Sequence, residues 1–222
     1  MTERETPSVD GLVIGILGGT GDQGRGLALR FALAGHPVII GSRRAERAQA
    51  AAQELGHGVR GLANHDAARQ ADLVIAAVPW EGHGDLLSGL AAELAGKIVV
   101  DCVNPLGFDQ RGAYALPVPE GSAAQQAAAL LPESRVVAAF HHVSAVLLLD
   151  PEVDAMDLDV LVLGDDREAT ELVQALAGRI PGVRGIYAGR LRNCGQVEAL
   201  TANLVSINRR YKAHAGLRIT DI

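Results

Sequence analysis

The sequence predicts an α/β chain: a doubly wound parallel sheet with a small C-terminal α/β extension that ends in a long helix. Three observations carry this. Short, predominantly apolar runs recur at 12–17 ("LVIGIL"), 37–42 ("PVIIGS"), 72–79 ("DLVIAAVP"), 97–103 ("KIVVDCV") and 135–140 ("RVVAAF"), as strands buried on both faces should read. Helical stretches alternate with them, which calls for parallel strands joined by right-handed crossovers. The first run stops at a glycine-rich turn that opens a helix.

Taken in order, residues 1–10 are polar and read as a loose tail. Residues 24–35 set Leu27, Phe31 and Ala34 at helical spacing, with Gly35 as C-cap. Residues 44–55 are rich in alanine and charge, which favours helix. "GVRGL" at 58–62 is a short strand, and 80–96 ("WEGHGDLLSGLAAELAG") is a helix. Beyond 145 the texture changes. Strands at 157–166 and 183–189 flank a helix at 167–180. A last helix spans 195–215, with Val197, Leu200, Leu204, Ile207 and Tyr211 on one apolar stripe. The expected division is a tail at 1–10, a dinucleotide-binding Rossmann domain at 11–145 and a smaller domain at 146–222. The apolar stripe suggests burial against a twin subunit, hence a homodimer.

Composition narrows the function. The 222 residues are 48% apolar and carry a net charge of −6, which argues against a general nucleic-acid binder. One Trp, three Tyr and three Phe leave little for a base-stacking platform. Cys102 and Cys194 fit no metal or redox spacing and read as buried thiols in a reducing compartment. The N-terminus lacks the apolar core of a signal peptide, and no apolar run approaches the roughly 20 residues needed to cross a bilayer. The expectation is a cytoplasmic protein without nucleic-acid or membrane partners.

The turn "LGGTGDQG" at 17–24 satisfies G-x-G-x-x-G between a buried strand and a helix start. Gly19 makes the tight turn, Gly21 leaves space for a pyrophosphate, and Gly24 lets the helix approach the sheet. The helix N-terminus offers free N–H groups to the anion. Asp22, unwelcome beside a phosphate, is expected to face solvent or cap the helix. After the second strand, where an NAD site carries a carboxylate, this chain has Ser42, Arg43 and Arg44, with Arg47 one turn beyond Arg43. A hydroxyl and forked cationic donors suit a 2′-phosphate, within reach of the Thr20 hydroxyl. The pattern selects NADP(H).

These residues resemble the NADPH-dependent reductases of coenzyme F420, the 8-hydroxy-5-deazaflavin. The likeness runs from residues 18–44 ("GGTGDQGRGLALRFALAGHPVIIGSRR") through "VPWE" at 78–81, "FHHVSA" at 140–145 and "VLGDD" at 162–166 to the closing helix. It implies reversible hydride transfer between NADP(H) and coenzyme F420. It places Thr20, Gly21, Asp22 and Gln23 along the phosphates and Ser42, Arg43 and Arg47 on the 2′-phosphate, where the family often has Lys at the last position. Val78 and the segment near Trp80 border the nicotinamide. His141, Val143 and Ala145 stand where nicotinamide and deazaflavin meet, with His141 and Val143 assigned to the reacting centre. The chain departs from the family at His142 and Ser144, where threonine and proline are usual. Small apolar residues, Val78, Pro79, Val103, Val143 and Ala145, allow two flat rings to stack. His141 or a nearby backbone N–H can meet charge that builds on the ring edge. His83 is a candidate for the nicotinamide amide, and Asn104 for a cofactor hydrogen bond or a turn cap before Pro105. The rival readings are a ferric or flavin reductase-like domain using NADPH, and a redox sensor that binds NADP(H) without chemistry.

Overall fold

A computed structural model describes residues 7–222; most of the predicted N-terminal tail, residues 1–6, lies outside the described residues. The first half alternates strictly: β1 (Ile14–Leu17), α1 (Asp22–Leu33), β2 (Val38–Ser42), α2 (Ala45–Leu55), β3 (Arg60–Ala63), α3 (Asn64–Gln70) and β4 (Leu73–Ala76). Then come α4 (His83–Ser88), α5 (Ala91–Leu94), β5 (Ile98–Asp101), the hairpin β6 (Leu106–Asp109) and β7 (Gly112–Ala115), α6 (Ala123–Leu130) and β8 (Arg135–Ala138). The last part comprises α7 (Ala145–Leu149), β9 (Leu158–Gly164), α8 (Arg167–Ala177), β10 (Val183–Gly189) and α9 (Cys194–Tyr211).

Eight strands form one sheet in the order β10-β9-β8-β5-β4-β1-β2-β3. The order reverses beside β1, the switch point at which such sheets bind nucleotides. Successive residues of each strand face opposite helical layers. Ile14, Ile16, Val38, Ile40, Ile75 and Val100 pack with Leu27 and Phe31 of α1 and Val173 of α8. Leu17, Ile39, Val74, Val99 and Ala138 pack with Leu87, Leu94, Ala127 and Val197 on the other side. This two-sided burial is why the strands read as unbroken aliphatic runs.

The structure corrects several expectations. The sheet is not wholly parallel, because β9 pairs with β8 in the antiparallel sense. The predicted helix 80–96 is a 3-10 turn at Trp80–Gly82 followed by α4 and α5, interrupted at Gly89. There the Ser88 hydroxyl bonds back to Gly84 O and Asp85 O, in competition with the helical ladder. α3 and the β6–β7 hairpin were not foreseen. The final helix stops at Tyr211, where Lys212 takes a left-handed φ of 51°. Residues 213–222 then return without regular structure. Along the predicted stripe, Val197 and Leu204 are buried by the chain itself, and only Ile207 and Tyr211 stand exposed.

Candidate functional site

The turn after β1 is built by glycines with separate internal reasons. Gly18 has φ +67°, and a Cβ there would strike Val78 Cγ1 at 2.1 Å. A Cβ on Gly19 would meet Ile16 O at 2.8 Å, and one on Gly24 would meet Gly19 Cα at 2.6 Å. Gly19 N donates to Gly41 O and Gly18 N to Asn64 Oδ1, which tie the turn to β2 and α3. Gly21 differs. Its φ of −82° suits any residue, and no protein atom lies within 4 Å of an added Cβ. The chain gives no steric reason for that glycine, and the open flank at the start of α1 fits a pyrophosphate. Thr20 is half-buried, and Asp22 is exposed and first in the helix.

Ser42 ends β2 and is buried, with its Oγ accepting from Arg44 N at 3.4 Å. Arg43, Arg44 and Arg47 are exposed, and among the described residues their side chains have no ion pair or hydrogen bond. Three cations at the start of α2 without an internal partner oppose the helix dipole, an arrangement that an external anion would relieve.

The opposite side of the switch point is made by the segments after β4, β5 and β8. Val78 and Trp80 are half-buried and Pro79 exposed. Buried Val103 and Val143 present apolar surface, and half-buried Ala145 opens α7. The segment 140–143 is held firmly. Phe140 has φ +65°, a strained value for a bulky residue. Gln23 Nε2 donates to Phe140 O at 3.3 Å, which joins the glycine turn to this segment. Asn104 Nδ2 donates to His141 O at 2.8 Å, and Thr201 Oγ1 of α9 reaches the same oxygen at 3.3 Å. Asn104 thus commits one of its two amide N–H groups to the chain, and its Oδ1 accepts from Thr201 Oγ1 at 3.4 Å. Thr201 was missed in the sequence, where nothing distinguishes it from any polar residue on a helix.

His141 is only 4% exposed, yet neither ring nitrogen has a partner. Burial pushes its pKa down to about 4, against the pull of Asp101, so the ring is neutral at physiological pH. A neutral imidazole carries one N–H and one lone pair. Both are unused here, which is costly unless something else supplies the bonds. His142 is also buried and lowered to about 4 by desolvation; its Nε2 accepts from Leu161 N at 3.4 Å.

His83, the candidate for the nicotinamide amide, has both ring nitrogens engaged within the chain. It is fully buried, with Nε2 2.5 Å from Asp101 Oδ2 and Nδ1 3.0 Å from Gln126 Oε1. Burial alone would lower its pKa, but Asp101, helped by Gln126 and Glu198, holds it above the ordinary value. Nearby, Glu198 of α9 accepts from Ala123 N and Ala124 N at the start of α6, and burial raises it to about 7. Asp101 and Glu198 thus fasten α4, α6 and α9 behind the site. Cys102 and Cys194 are buried and unpaired, and burial pushes both thiols up. No cluster of metal-ligating side chains occurs among the described residues, and none of their helices is long and apolar enough to cross a membrane.

With this geometry in view, comparison with known proteins is informative. Residues 13–105 match the family described as NADP oxidoreductase coenzyme F420-dependent. The F420-dependent NADP reductase of Methanothermobacter thermautotrophicus is 41% identical over 221 residues, covering 94% of this chain and 95% of that protein. That of Methanocaldococcus jannaschii is also 41% identical, over 94% of this chain and 98% of its own length. A solved structure of a candidate F420-dependent NADP reductase from Arthrobacter sp. FB24 superposes with a TM-score of 0.83 at 30% identity, over 95% of this chain and 100% of its own.

Proposed function

From membership of the F420-dependent NADP oxidoreductase family, to which this chain belongs, we infer that it moves hydride reversibly between NADP(H) and coenzyme F420. The near-full-length likeness carries this reading, and the unsatisfied groups of the site support it. Bound together, the two coenzymes would supply hydride exchange between a nicotinamide and a deazaflavin ring.

The chain's own residues bind, orient and exclude water. The N–H groups at Gly21, Asp22 and Gln23, with the Thr20 hydroxyl, hold the pyrophosphate beside the open flank of Gly21. Ser42, Arg43 and Arg47 hold the 2′-phosphate. Val78, Pro79, Trp80, Val103, Val143 and Ala145 wall the stacked rings, a dry surface against which reacting carbons can sit about 3–3.5 Å apart. Neutral His141 offers its N–H to the ring edge where negative charge grows. Asn104 and Thr201 fix the His141 carbonyl and act as positioning residues. Residues 11–145 thus supply the dinucleotide half, and 146–222 complete the deazaflavin side.

We also assign the protein as a cytoplasmic homodimer. Unpaired Cys102 and Cys194 agree with a reducing compartment, and Ile207, 40% exposed, and Tyr211, 73% exposed, give α9 an apolar end for a second copy. Purified protein mixed with NADPH and oxidised deazaflavin should bleach the deazaflavin's visible absorbance. Turnover of a ferric chelate or flavin in its place would move the assignment to a related reductase.

A further inference from the structure

Between the β6–β7 hairpin and the last two turns of α9 lies a surface cavity of about 520 Å3 that the hydride-transfer site does not use. Arg111, Arg209 and Arg210 line it, with Asp109, Val205 and Phe108. Phe108 is 70% exposed. Asp109 is occupied, because its Oδ1 accepts from Arg111 N at 2.7 Å and Gly112 N at 3.1 Å and so closes the hairpin turn. Among the described residues none of the three guanidinium groups has an ion pair. A net positive groove in a chain of charge −6 is a local device for anions.

Its position ties it to the ring site. β6 starts two residues after Asn104, and Leu116 N returns to Pro105 O to close the hairpin base. Thr201, Val205 and Arg209 follow one another at intervals of four on α9, so they form one ridge. The axial distance from Thr201, which contacts the His141 carbonyl, to Arg209 is about 12 Å. Ile207 lies about 160° around the helix from Arg209, so the groove and the apolar end of α9 face different ways.

We propose that this groove holds the anionic tail of the deazaflavin, its phosphodiester and glutamyl carboxylates, while the ring and ribityl chain occupy the site beside His141. The proposal rests on the hydride-transfer reading and deepens it. Forked guanidinium donors match both phosphate and carboxylate oxygens. The exposed groove suits a tail that stays partly in water, so it tunes affinity and leaves ring alignment alone.

The test is a titration of deazaflavin fluorescence without NADP(H), using three ligands: tail-less deazaflavin with its ribityl chain, the form ending at the phosphodiester, and the glutamylated form. The proteins are wild type, Arg209→Ala/Arg210→Ala and the remote control Arg135→Ala, which removes one exposed charge at the start of β8, the end of that strand opposite His141. The double variant should bind tailed forms about tenfold more weakly and the tail-less form less than about twofold more weakly, as expected for losing part-exposed charge-assisted contacts. Added salt should erode wild-type binding of the tailed forms and affect the double variant far less. If the phosphodiester form already shows the full loss, phosphate is the bound group; if only the glutamylated form does, the carboxylates are. Equal loss on all three ligands, or none, or the same loss in Arg135→Ala, overturns the assignment. A wild type that bleaches tail-less deazaflavin with NADPH but shows no preference for tailed forms retains hydride transfer and overturns the groove alone. A wild type that binds none of the three ends both.

Discussion

His83 and His141 are both buried behind the same edge of the sheet, and they differ in where their hydrogen bonds go. His83 gives both nitrogens to Asp101 and Gln126. His141 gives neither to the protein. The arginines divide in the same way. Arg30 donates to the carbonyl oxygens of Leu147, Leu148, Asp150 and Val153, and so straps α1 to α7 and the loop after it. Arg43 and Arg47 donate to nothing among the described residues. Burial and charge are therefore poor guides to function here. In these two pairs the completed set of partners belongs to the structural group, and the incomplete set leaves donors that a bound molecule can use.

The largest effect that would break this contrast lies on the completed side. Arg30→Met strands four carbonyl oxygens and should lower the unfolding free energy by about 3–5 kcal/mol, read by urea denaturation. A loss below about 1 kcal/mol would show that those oxygens find water at no cost. Next is the phosphate pair. Arg43→Ala/Arg47→Ala should weaken NADPH about 100-fold and NADH less than about threefold, with an unchanged melting temperature. Equal losses for both nucleotides would sink the 2′-phosphate assignment. Gly21→Ala sharpens the comparison further. It should leave stability within about 0.5 kcal/mol while weakening either dinucleotide about tenfold. Gly24→Ala should instead destabilise the fold, because the new methyl would press on Gly19.

The smallest effect is in the pH dependence, where the two histidines should have opposite signs. His141 is lowered from 6.5 to about 4, so its contribution to stability is full above 6.5 and is lost as pH falls toward 4. His83 is raised, so its contribution is full below 6.5 and is lost as pH rises through the folded value. Denaturation curves across this range should lose the acid-side slope in His141→Gln and the alkaline-side slope in His83→Gln. For the same reason His141 should add no inflection near pH 6.5 to the rate of hydride transfer.

The dinucleotide half was legible because its signals are local. The glycine spacing at 19, 21 and 24 and the basic run at 42–47 sit within a few residues of the strands that aim them. The direction of β9 was not legible. Its aliphatic run reads the same whether its neighbour is parallel or antiparallel, and the short path through α7 that permits reversal leaves no periodic trace. The fate of His83 was hidden too, since Asp101 lies 18 residues away and only the sheet brings them together. Asn104 and Thr201, 97 residues apart, share one carbonyl oxygen by the same kind of tertiary accident. The hairpin was the avoidable miss, for "DQRG" at 109–112 carries a turn's Asp and Gly in plain view.

The reversed strand also decides where the closing residues lie. β1 enters the sheet from the edge remote from the site. Because β9 and β10 run the other way, the closing residues come back to the ligand rim, where His214 lies 3.5 Å from the Ser144 hydroxyl and Arg184 holds Ile222 O. A tag or fused domain placed after Ile222 would therefore shadow the rim at which the proposed coenzyme site opens.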